Sequence, residues 1–183
     1  MYRARKDSGT VVFPCLKMES FNIKVYSDAS FNNLPNGASQ EGHIVFLCDE
    51  NNSAPLSWTS NKIRRVVRST LAAEAIALND ACGNALYLKR MVSEVFIEAP
   101  RKDIPLFALT DNKSTFDAIH SSTAVSDKNL RLEIALLQQY VERKEVDISF
   151  VKGKENLSDV LTKRGASARN LMSSISNGSL VSG

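Results

Sequence analysis

The chain has 183 residues, of which 43% are apolar, 23% charged and 7% aromatic, and its net charge is +3. This composition is close to the globular average, which argues against a disordered, collagenous or coiled-coil protein and favours one domain with a packed core. The weak positive charge permits an anionic partner but does not require one. No apolar run approaches the roughly 20 residues of a membrane-spanning helix, so we expect no membrane partner.

The first third of the chain is predicted to form a linker and three strands. Residues 1–20 show no periodicity and are assigned to an N-terminal linker. Apolar residues that alternate with polar ones, or form short runs bounded by turn-forming residues, predict three strands, at residues 21–28, 42–48 and 54–60. Their hairpin spacing predicts an antiparallel meander, with residues 32–37 as a loop and with Trp58 and Phe31 packed in the core.

The rest of the chain alternates helices with strands. Apolar residues at three- and four-residue steps predict a long helix over residues 70–96. Beyond it we predict a strand, two helices, a strand and a final helix, at residues 104–110, 113–120, 127–143, 146–151 and from residue 157. The order β-β-β-α-β-α-α-β-α predicts an α/β domain with a mixed sheet over residues 21–165. Residues 166–183, rich in Ser, Gly and Asn, are predicted to be a flexible C-terminal tail.

Four acidic residues lie at the predicted junctions between strands and helices. Asp28 ends the first strand, Glu74 lies in the first turns of the long helix, Asp111 follows the fourth strand and Asp159 opens the final helix. Such junctions gather along one edge of a mixed α/β sheet. Carboxylates that converge without cations repel each other, and two Mg²⁺ ions about 4 Å apart would relieve that repulsion and could cleave a phosphodiester. Each acid alone is more often a strand end, a helix cap or a solvated side chain, so position by itself leaves the function open.

Four sequence motifs carry a resemblance to a known family. In chain order they are Tyr26-Ser-Asp-Ala-Ser30, Arg68-Ser-Thr-Leu-Ala-Ala-Glu-Ala-Ile-Ala-Leu78, Leu109-Thr-Asp-Asn-Lys-Ser114 and Asn156-Leu-Ser-Asp-Val-Leu-Thr-Lys163. These motifs resemble ribonuclease H domains, and in particular those that close the Pol polyproteins of copia-type long-terminal-repeat retrotransposons. The resemblance extends over residues 13–165. It implies a ribonuclease H-like fold, a five-stranded mixed sheet of three antiparallel and then two parallel strands, flanked by helices.

The resemblance also implies an activity and its partners. Ribonucleases H cleave the RNA strand of RNA–DNA hybrids with two Mg²⁺ ions, for which Mn²⁺ can substitute. Carried over motif by motif, the catalytic and metal-binding residues are Asp28, Glu74, Asp111 and Asp159, with Asp28 bridging both ions. The implied partners are the hybrid itself and the reverse transcriptase and integrase domains of the same polyprotein.

A histidine that many cellular ribonucleases H use is absent from this sequence. Those enzymes carry a histidine-containing loop just before the final acid, whereas residues 151–158 of this chain contain no histidine. His43 and His120 lie elsewhere in the chain and are expected to be structural. Similar domains of the transposon group also tend to lack that histidine, so the difference bears on turnover rather than on the fold.

Cations and small polar side chains beside the acids are the predicted contacts with the hybrid. The basic candidates precede Glu74 or Asp159 in the chain and are Lys62, Arg64, Arg65, Arg68, Lys152 and Lys154. Lys163 and Arg164 follow Asp159 and add to the same basic surroundings. The polar candidates flank the acids and are Ser30, Ser69, Thr70 and Asn112. For the run over residues 62–68, a solvated charged face is the alternative interpretation.

Two further functional interpretations follow from the same sequence. A catalytically inactive nucleic-acid-binding or scaffold module that keeps the fold is the main alternative. The complete set of acids argues against it, and the lack of reverse transcriptase and integrase segments in this sequence argues for it. The third interpretation is an exonuclease or transposase core of the same superfamily, which the meander and the final Asp159-Val-Leu-Thr-Lys163 box argue against.

Overall fold

The computed structural model describes residues 9–35, 37–96, 103–122 and 125–180. Its centre is a mixed sheet of five strands in the order β3-β2-β1-β4-β5. The strands are β1 (Asn22–Leu34), β2 (Ala38–Cys48), β3 (Ser53–Lys62), β4 (Leu106–Thr110) and β5 (Asp147–Phe150). β2 is antiparallel to both β1 and β3, whereas β4 is parallel to both β1 and β5. This topology confirms the predicted α/β fold with its mixed sheet.

Helices cover both faces of the sheet. They are α1 (Thr70–Val95), α2 (Lys113–His120), α3 (Lys128–Glu142), α4 (Asp159–Thr162) and α5 (Arg169–Asn177). The first three share one apolar cluster with Ile23 and Val25 of β1, whereas α5 and the segment around α4 pack over Tyr26. Because successive strand side chains point to opposite faces, Asp28 lies on the same face of β1 as Tyr26. Within the described part of the chain, no helix is both long and apolar enough to cross a membrane.

The hairpin between β1 and β2 is longer than predicted. β1 runs to Leu34 and β2 begins at Ala38, so the first half of the predicted loop over residues 32–37 belongs to β1. The pairing register shifts between Ser30 and Leu34, and Asn32 has a left-handed backbone φ of 57°. Asparagine accepts that conformation more readily than most residues, which explains how turn-forming residues fit into an irregular strand.

The prediction that Trp58 packs in the core is wrong. Its side chain is 63% exposed, and the side chain of Phe31 is exposed as well. Trp58 lies on β3, an edge strand of which only the first three residues are buried. The outer half of β3 therefore leaves its side chains in solvent, and a strand-like pattern in the sequence does not indicate which strand lies at an edge.

The structure also differs from the sequence prediction beyond residue 165. A flexible tail is predicted over residues 166–183, whereas the structure forms α5 there and buries Leu171 and Ser174. The predicted linker runs beside this helix, because the Val12 backbone N–H donates to the carbonyl of Ile175 at 3.0 Å. Leu171 and Ile175 are four residues apart and give α5 an apolar side despite its polar composition. Residues 1–8 of the predicted linker and 181–183 of the predicted tail lie outside the described residues.

Candidate active site

Two parallel strands bring two of the four acids together. Ser27 of β1 pairs with Thr110 of β4, so Asp28 and Asp111, each the next residue, lie side by side at the end of the ladder. Asp28 is only 1% exposed, whereas Asp111 follows the end of its strand and is partly exposed. The site therefore has a buried carboxylate at its base and a more accessible one at its side.

Asp159 and Glu74 approach this point from two helices. Asp159 is the first residue of α4, and one carboxylate oxygen from each of Asp28, Asp111 and Asp159 lies within 4.8 Å of the other two. We call these three residues the acid cluster. Glu74 lies in the second turn of α1, where it is buried and interacts electrostatically with Asp28 and Asp111. Of the four acids named from the sequence, the structure thus joins three in one cluster and places Glu74 next to it.

Burial and neighbouring carboxylates raise the pKa of two of the acids, Glu74 and Asp28. Burial is the main reason that the pKa of Glu74 is raised to about 8, and the charges of Asp28 and Asp111 add to it, while Lys163 and a hydrogen bond with Asn112 act in the opposite direction. The Oε2 atom of Glu74 is buried without a hydrogen-bond partner among the described residues. Burial also raises the pKa of Asp28. Burial and the neighbouring carboxylates thus disfavour the charged forms of Glu74 and Asp28 when no cation other than Lys163 lies beside them.

α4 and the residue that follows it supply polar partners to the acid cluster. Thr162 Oγ1 donates to Asp28 Oδ2, and the same hydroxyl lies 3.2 Å from the carbonyl oxygen of Asp159. Lys163 Nζ lies 3.3 Å from Asp28 Oδ1 and forms an ion pair with Asp159 Oδ1. Desolvation opposes the charge of Lys163, but its hydrogen bond with Asp159 and the charges of the acid cluster raise the pKa of Lys163 above its ordinary value. Lys163 is therefore a cation in direct contact with two of the acids.

The buried side chain of Asn156 makes contacts that sequence analysis missed. Its Nδ2 donates to Asp111 Oδ1 and to the carbonyl oxygen of Ser27, both at 2.9 Å. Its Oδ1 accepts from the backbone N–H of Ser158 at 3.2 Å and from the Ser158 hydroxyl at 2.6 Å. Asn156 thus ties the segment before α4 to β1 and orients the carboxylate of Asp111.

A glycine on β2 lets α4 approach the sheet closely. A Cβ atom on Gly42 would lie 2.7 Å from Leu161 Cβ and 3.0 Å from Thr162 Cγ2. The carbonyl oxygen of Leu161 accepts from Gln40 Nε2 at 2.8 Å and from Ser60 Oγ at 2.6 Å, which fixes α4 to β2 and β3. The sheet therefore sets the position of the residues that α4 contributes to the site.

Two of the predicted basic contacts lie beside the acid cluster. Lys152 and Lys154 are exposed and flank Gly153, at which a Cβ atom would lie 3.1 Å from Asp111 Oδ2. The turn that carries both lysines therefore runs against the acid cluster, and its lysines border the site.

Two of the four polar candidates, Ser69 and Asn112, have structural partners of their own. Ser69 caps α1 by accepting from the Ala72 backbone N–H at 3.1 Å. Asn112 caps α2 by accepting from the Thr115 backbone N–H at 2.9 Å. Thr70 begins α1 and is exposed, and Ser30 is half-buried on β1. Helix capping therefore explains Ser69 and Asn112 without any contact to nucleic acid.

The basic run before α1 is exposed, at Lys62, Arg64, Arg65 and Arg68. Arg65 Nη1 lies 2.5 Å from Glu133 Oε1 of α3. Arg65 and Arg68 line a groove of about 380 Å³ together with Glu133 and Asp127. Arg65 of this run thus pairs with a carboxylate of α3, in keeping with a solvated charged face. Contact of the run with a hybrid stays a prediction.

Both histidines have contacts within the protein. His43 Nε2 lies 2.9 Å from Asn84 Nδ2, and His120 Nδ1 lies 2.9 Å from the carbonyl oxygen of Phe116. These contacts agree with the structural roles expected for both from the sequence.

The sheet and its helices match solved ribonuclease H structures. The N-terminal RNase H domain of Rv2228c from Mycobacterium tuberculosis aligns with a TM-score of 0.54 and 16% identity, over 78% of this chain and 91% of that chain. RNase H1 from Halobacterium salinarum NRC-1 aligns with a TM-score of 0.53 and 17% identity, over 77% and 94%. LC11-RNase H1, solved in complex with an RNA/DNA hybrid, aligns with a TM-score of 0.54 and 19% identity, over 77% of this chain and 94% of that chain. The fold is that of ribonuclease H.

Sequence similarity to transposon polyproteins accompanies the ribonuclease H fold. The Gag-Pol polyproteins of transposons Ty1-JR2 and Ty1-ER2 from Saccharomyces cerevisiae are each 29% identical to this chain over 143 residues, or 77% of the chain. The chain spans only 8% of the length of these polyproteins. No protein-family model matches the sequence. The fold and this similarity together confirm the predicted resemblance to a ribonuclease H domain of a retrotransposon Pol polyprotein.

Proposed function

We propose that this chain hydrolyses the RNA strand of RNA–DNA hybrids as the ribonuclease H domain of a copia-type retrotransposon Pol polyprotein. The observation that carries the proposal is the acid cluster, whose oxygens lie within 4.8 Å of one another in a ribonuclease H fold. LC11-RNase H1 and a foamy viral protease-reverse transcriptase, both structural neighbours of this chain, have been solved with RNA/DNA hybrids. These complexes support the hybrid as the class of substrate.

The acid cluster fits hard divalent cations. Its ligand atoms are carboxylate oxygens, the donors that Mg²⁺ prefers, and the buried Oε2 of Glu74 has no partner among the described residues. We therefore propose that Asp28, Glu74, Asp111 and Asp159 would hold two Mg²⁺ ions, for which Mn²⁺ could substitute. Ions bound there would activate a water and stabilise the leaving oxygen of the phosphodiester.

Other residues of the chain orient the acids and bind the hybrid. The hydrogen bonds of Asn156 and Thr162 hold the carboxylates of Asp111 and Asp28 in fixed orientations. Lys152 and Lys154 border the site, where we expect them to contact phosphates of the strand being cut. The other basic residues predicted to contact phosphates, in a salt-sensitive way, are Lys62, Arg64, Arg65 and Arg68. The polar residues predicted to contact sugars and backbone are Ser30, Ser69, Thr70 and Asn112.

The polyprotein context supports covalent partners. Because the chain spans 8% of its Gag-Pol relatives, we propose that reverse transcriptase and integrase domains of the same polyprotein accompany it. A neighbouring reverse transcriptase would hold the hybrid and so raise its local concentration at the acid cluster.

Replacing Asp28 by Asn tests the proposal. Burial disfavours the charged form of Asp28, so the loss of its charge should leave the fold intact, as circular dichroism would verify. We expect the unaltered protein to cleave a labelled RNA–DNA hybrid in Mg²⁺, and we expect no cleavage by Asp28→Asn or in EDTA. Asp147→Asn is the matched control, because Asp147 is exposed at the start of β5, at the opposite end of the sheet, and it should cleave normally.

Two outcomes would contradict the proposal. Normal cleavage by a folded Asp28→Asn variant would refute the assignment of the acids. Hybrid binding that weakens steeply with salt, without cleavage in either Mg²⁺ or Mn²⁺, would support the inactive nucleic-acid-binding module instead.

A further inference from the structure

We infer that Lys163 is a built-in counter-ion of the acid cluster, which a divalent metal ion must displace in order to bind. The inference rests on the metal site of the proposed function, but it does not depend on whether the domain cleaves a hybrid.

The geometry of α4 places the ammonium group on the acids. Asp159 and Lys163 are four residues apart, a spacing at which side chains of one helical turn meet. From there Lys163 Nζ contacts Asp159 Oδ1 within its own segment and Asp28 Oδ1 on β1 at 3.3 Å. One ammonium group therefore joins the buried acid of the sheet to the acid of α4.

The contacts of Lys163 matter because the acid cluster concentrates negative charge. Three carboxylates converge within 4.8 Å, and carboxylates at that distance repel each other strongly where solvent is excluded. Among the ion pairs of the described residues, those of Lys163 are the ones that reach the acid cluster. Lys163 thus neutralises part of the negative charge of the acid cluster when no metal ion is bound.

An ammonium group and a metal ion compete for the same oxygen atoms. Lys163 Nζ contacts Asp28 Oδ1, and the hydroxyl of Thr162 donates to Asp28 Oδ2, so a metal ion that binds Asp28 would meet oxygens that are already hydrogen-bonded. The Lys163 side chain is 44% exposed and has a flexible four-carbon stem, so it can turn into solvent without unpacking the core. Displacing Lys163 is therefore part of the free energy of metal binding, and it weakens the affinity.

Direct metal titration tests the inference without any nucleic acid. Lys163→Met removes the charge while keeping a long side chain, and it should lower the dissociation constant for Mn²⁺ roughly three- to tenfold, the range expected from one or two partly exposed ion pairs. Electron paramagnetic resonance of free Mn²⁺ measures this constant. In EDTA, the same variant should unfold at a lower temperature than the unaltered protein, because the acids have lost their counter-ion.

Two further variants separate the contact from the charge. Lys113→Met removes the same charge two residues from Asp111, but Lys113 pairs with Asp117 at 2.5 Å, outside the acid cluster, so Mn²⁺ affinity should stay near that of the unaltered protein. Lys163→Arg keeps a cation at the site and should also bind Mn²⁺ with nearly unaltered affinity.

The outcomes distinguish this inference from the proposed function. Equal or weaker Mn²⁺ binding by Lys163→Met, relative to Lys113→Met, overturns the inference even if the unaltered protein cleaves hybrids. Tighter binding by Lys163→Met supports the inference even if no hybrid is cleaved. The absence of Mn²⁺ binding in the unaltered protein and in Lys163→Met alike overturns both the inference and the proposed metal site.

Discussion

At the scale of single residues, His43 on β2 is a buried group outside the acid cluster whose protonation bears on stability. It lies under α1, and its Nε2 accepts a hydrogen bond from the amide of Asn84 at 2.9 Å. Burial lowers the pKa of His43 to about 4, well below its ordinary value of about 6.5. The folded protein therefore holds this imidazole neutral.

The pH dependence of stability follows from that neutral state. Above pH 6.5 the imidazole of His43 is neutral in both the folded and the unfolded chain, so it adds no pH dependence. Between pH 6.5 and pH 4 only the unfolded chain takes up the proton, so stability falls as the pH falls, by about 2–3 kcal/mol from this residue. His43→Gln should lose less stability than the unaltered protein between pH 7 and pH 4.5 in urea unfolding. Parallel losses in the two proteins would show that His43 does not titrate in this way.

The sequence could predict which acids lie near one another, but it could not predict which side chains orient them. The acids stand in four short motifs that resemble a family in their order, although each alone is ambiguous. Asn156 and Thr162 lie inside one of those motifs, yet their partners Asp111 and Asp28 are 45 and 134 residues away. Helical spacing relates Lys163 only to its neighbours along the chain, so contacts across the sheet leave no signal in the sequence.

At the scale of elements, the seating of α4 on the sheet decides the geometry of the acid cluster. α4 has only one turn, and the lack of a side chain at Gly42 lets Leu161 and Thr162 lie directly on β2. A helix this short has little stability of its own, so its position depends on these contacts.

A side chain at position 42 should therefore disturb the site. Gly42→Ala places a Cβ 2.7 Å from Leu161 Cβ, which forces α4 to move and should cost about 1–3 kcal/mol of unfolding free energy and weaken Mn²⁺ binding. Gly83→Ala on α1 is the matched control. Apart from adjacent residues and the backbone of α1 itself, no atom of the described residues lies within 4 Å of its added Cβ. The better helix propensity of alanine should stabilise the protein by about 1 kcal/mol. Urea denaturation measures both, and a Gly42→Ala variant as stable as the unaltered protein would mean that α4 does not depend on this contact.

Element types follow from the sequence better than element positions do. The periodicity of the long helix predicts residues 70–96, and α1 spans Thr70–Val95. The same reasoning misplaces Trp58 in the core and misses α5, because burial depends on which elements become neighbours in the sheet and not on local pattern. Edge strands and short polar helices are therefore the elements for which sequence patterns fail.

At the scale of the whole molecule, the two ends of the described chain pack together on one face of the sheet. Leu171 of α5 joins the apolar cluster of Tyr26 and Phe46, and the segment around Val12 runs along the same helix. This packing covers the face of the sheet from which Asp28 points.

Truncating Leu171 measures how much that packing contributes. Leu171 is 8% exposed, so Leu171→Ala should lower the unfolding free energy by about 2–3 kcal/mol. Leu132→Ala, on α3, removes a side chain that is 71% exposed and should change stability by less than about 0.5 kcal/mol. Denaturation in urea compares the two, and equal stabilities would favour the flexible tail predicted from the sequence.

The long reach between Thr162 and Asp28 has a consequence for biosynthesis. These residues are 134 positions apart, so β1 leaves the ribosome long before α4 has been translated. A product cut short by a stop codon or a frameshift between Asp111 and Asp159 keeps Asp28 and Asp111 but lacks the third residue of the acid cluster. Under the proposed function, a nascent chain should gain nuclease activity only after Asp159 has been translated and α4 has packed on the sheet.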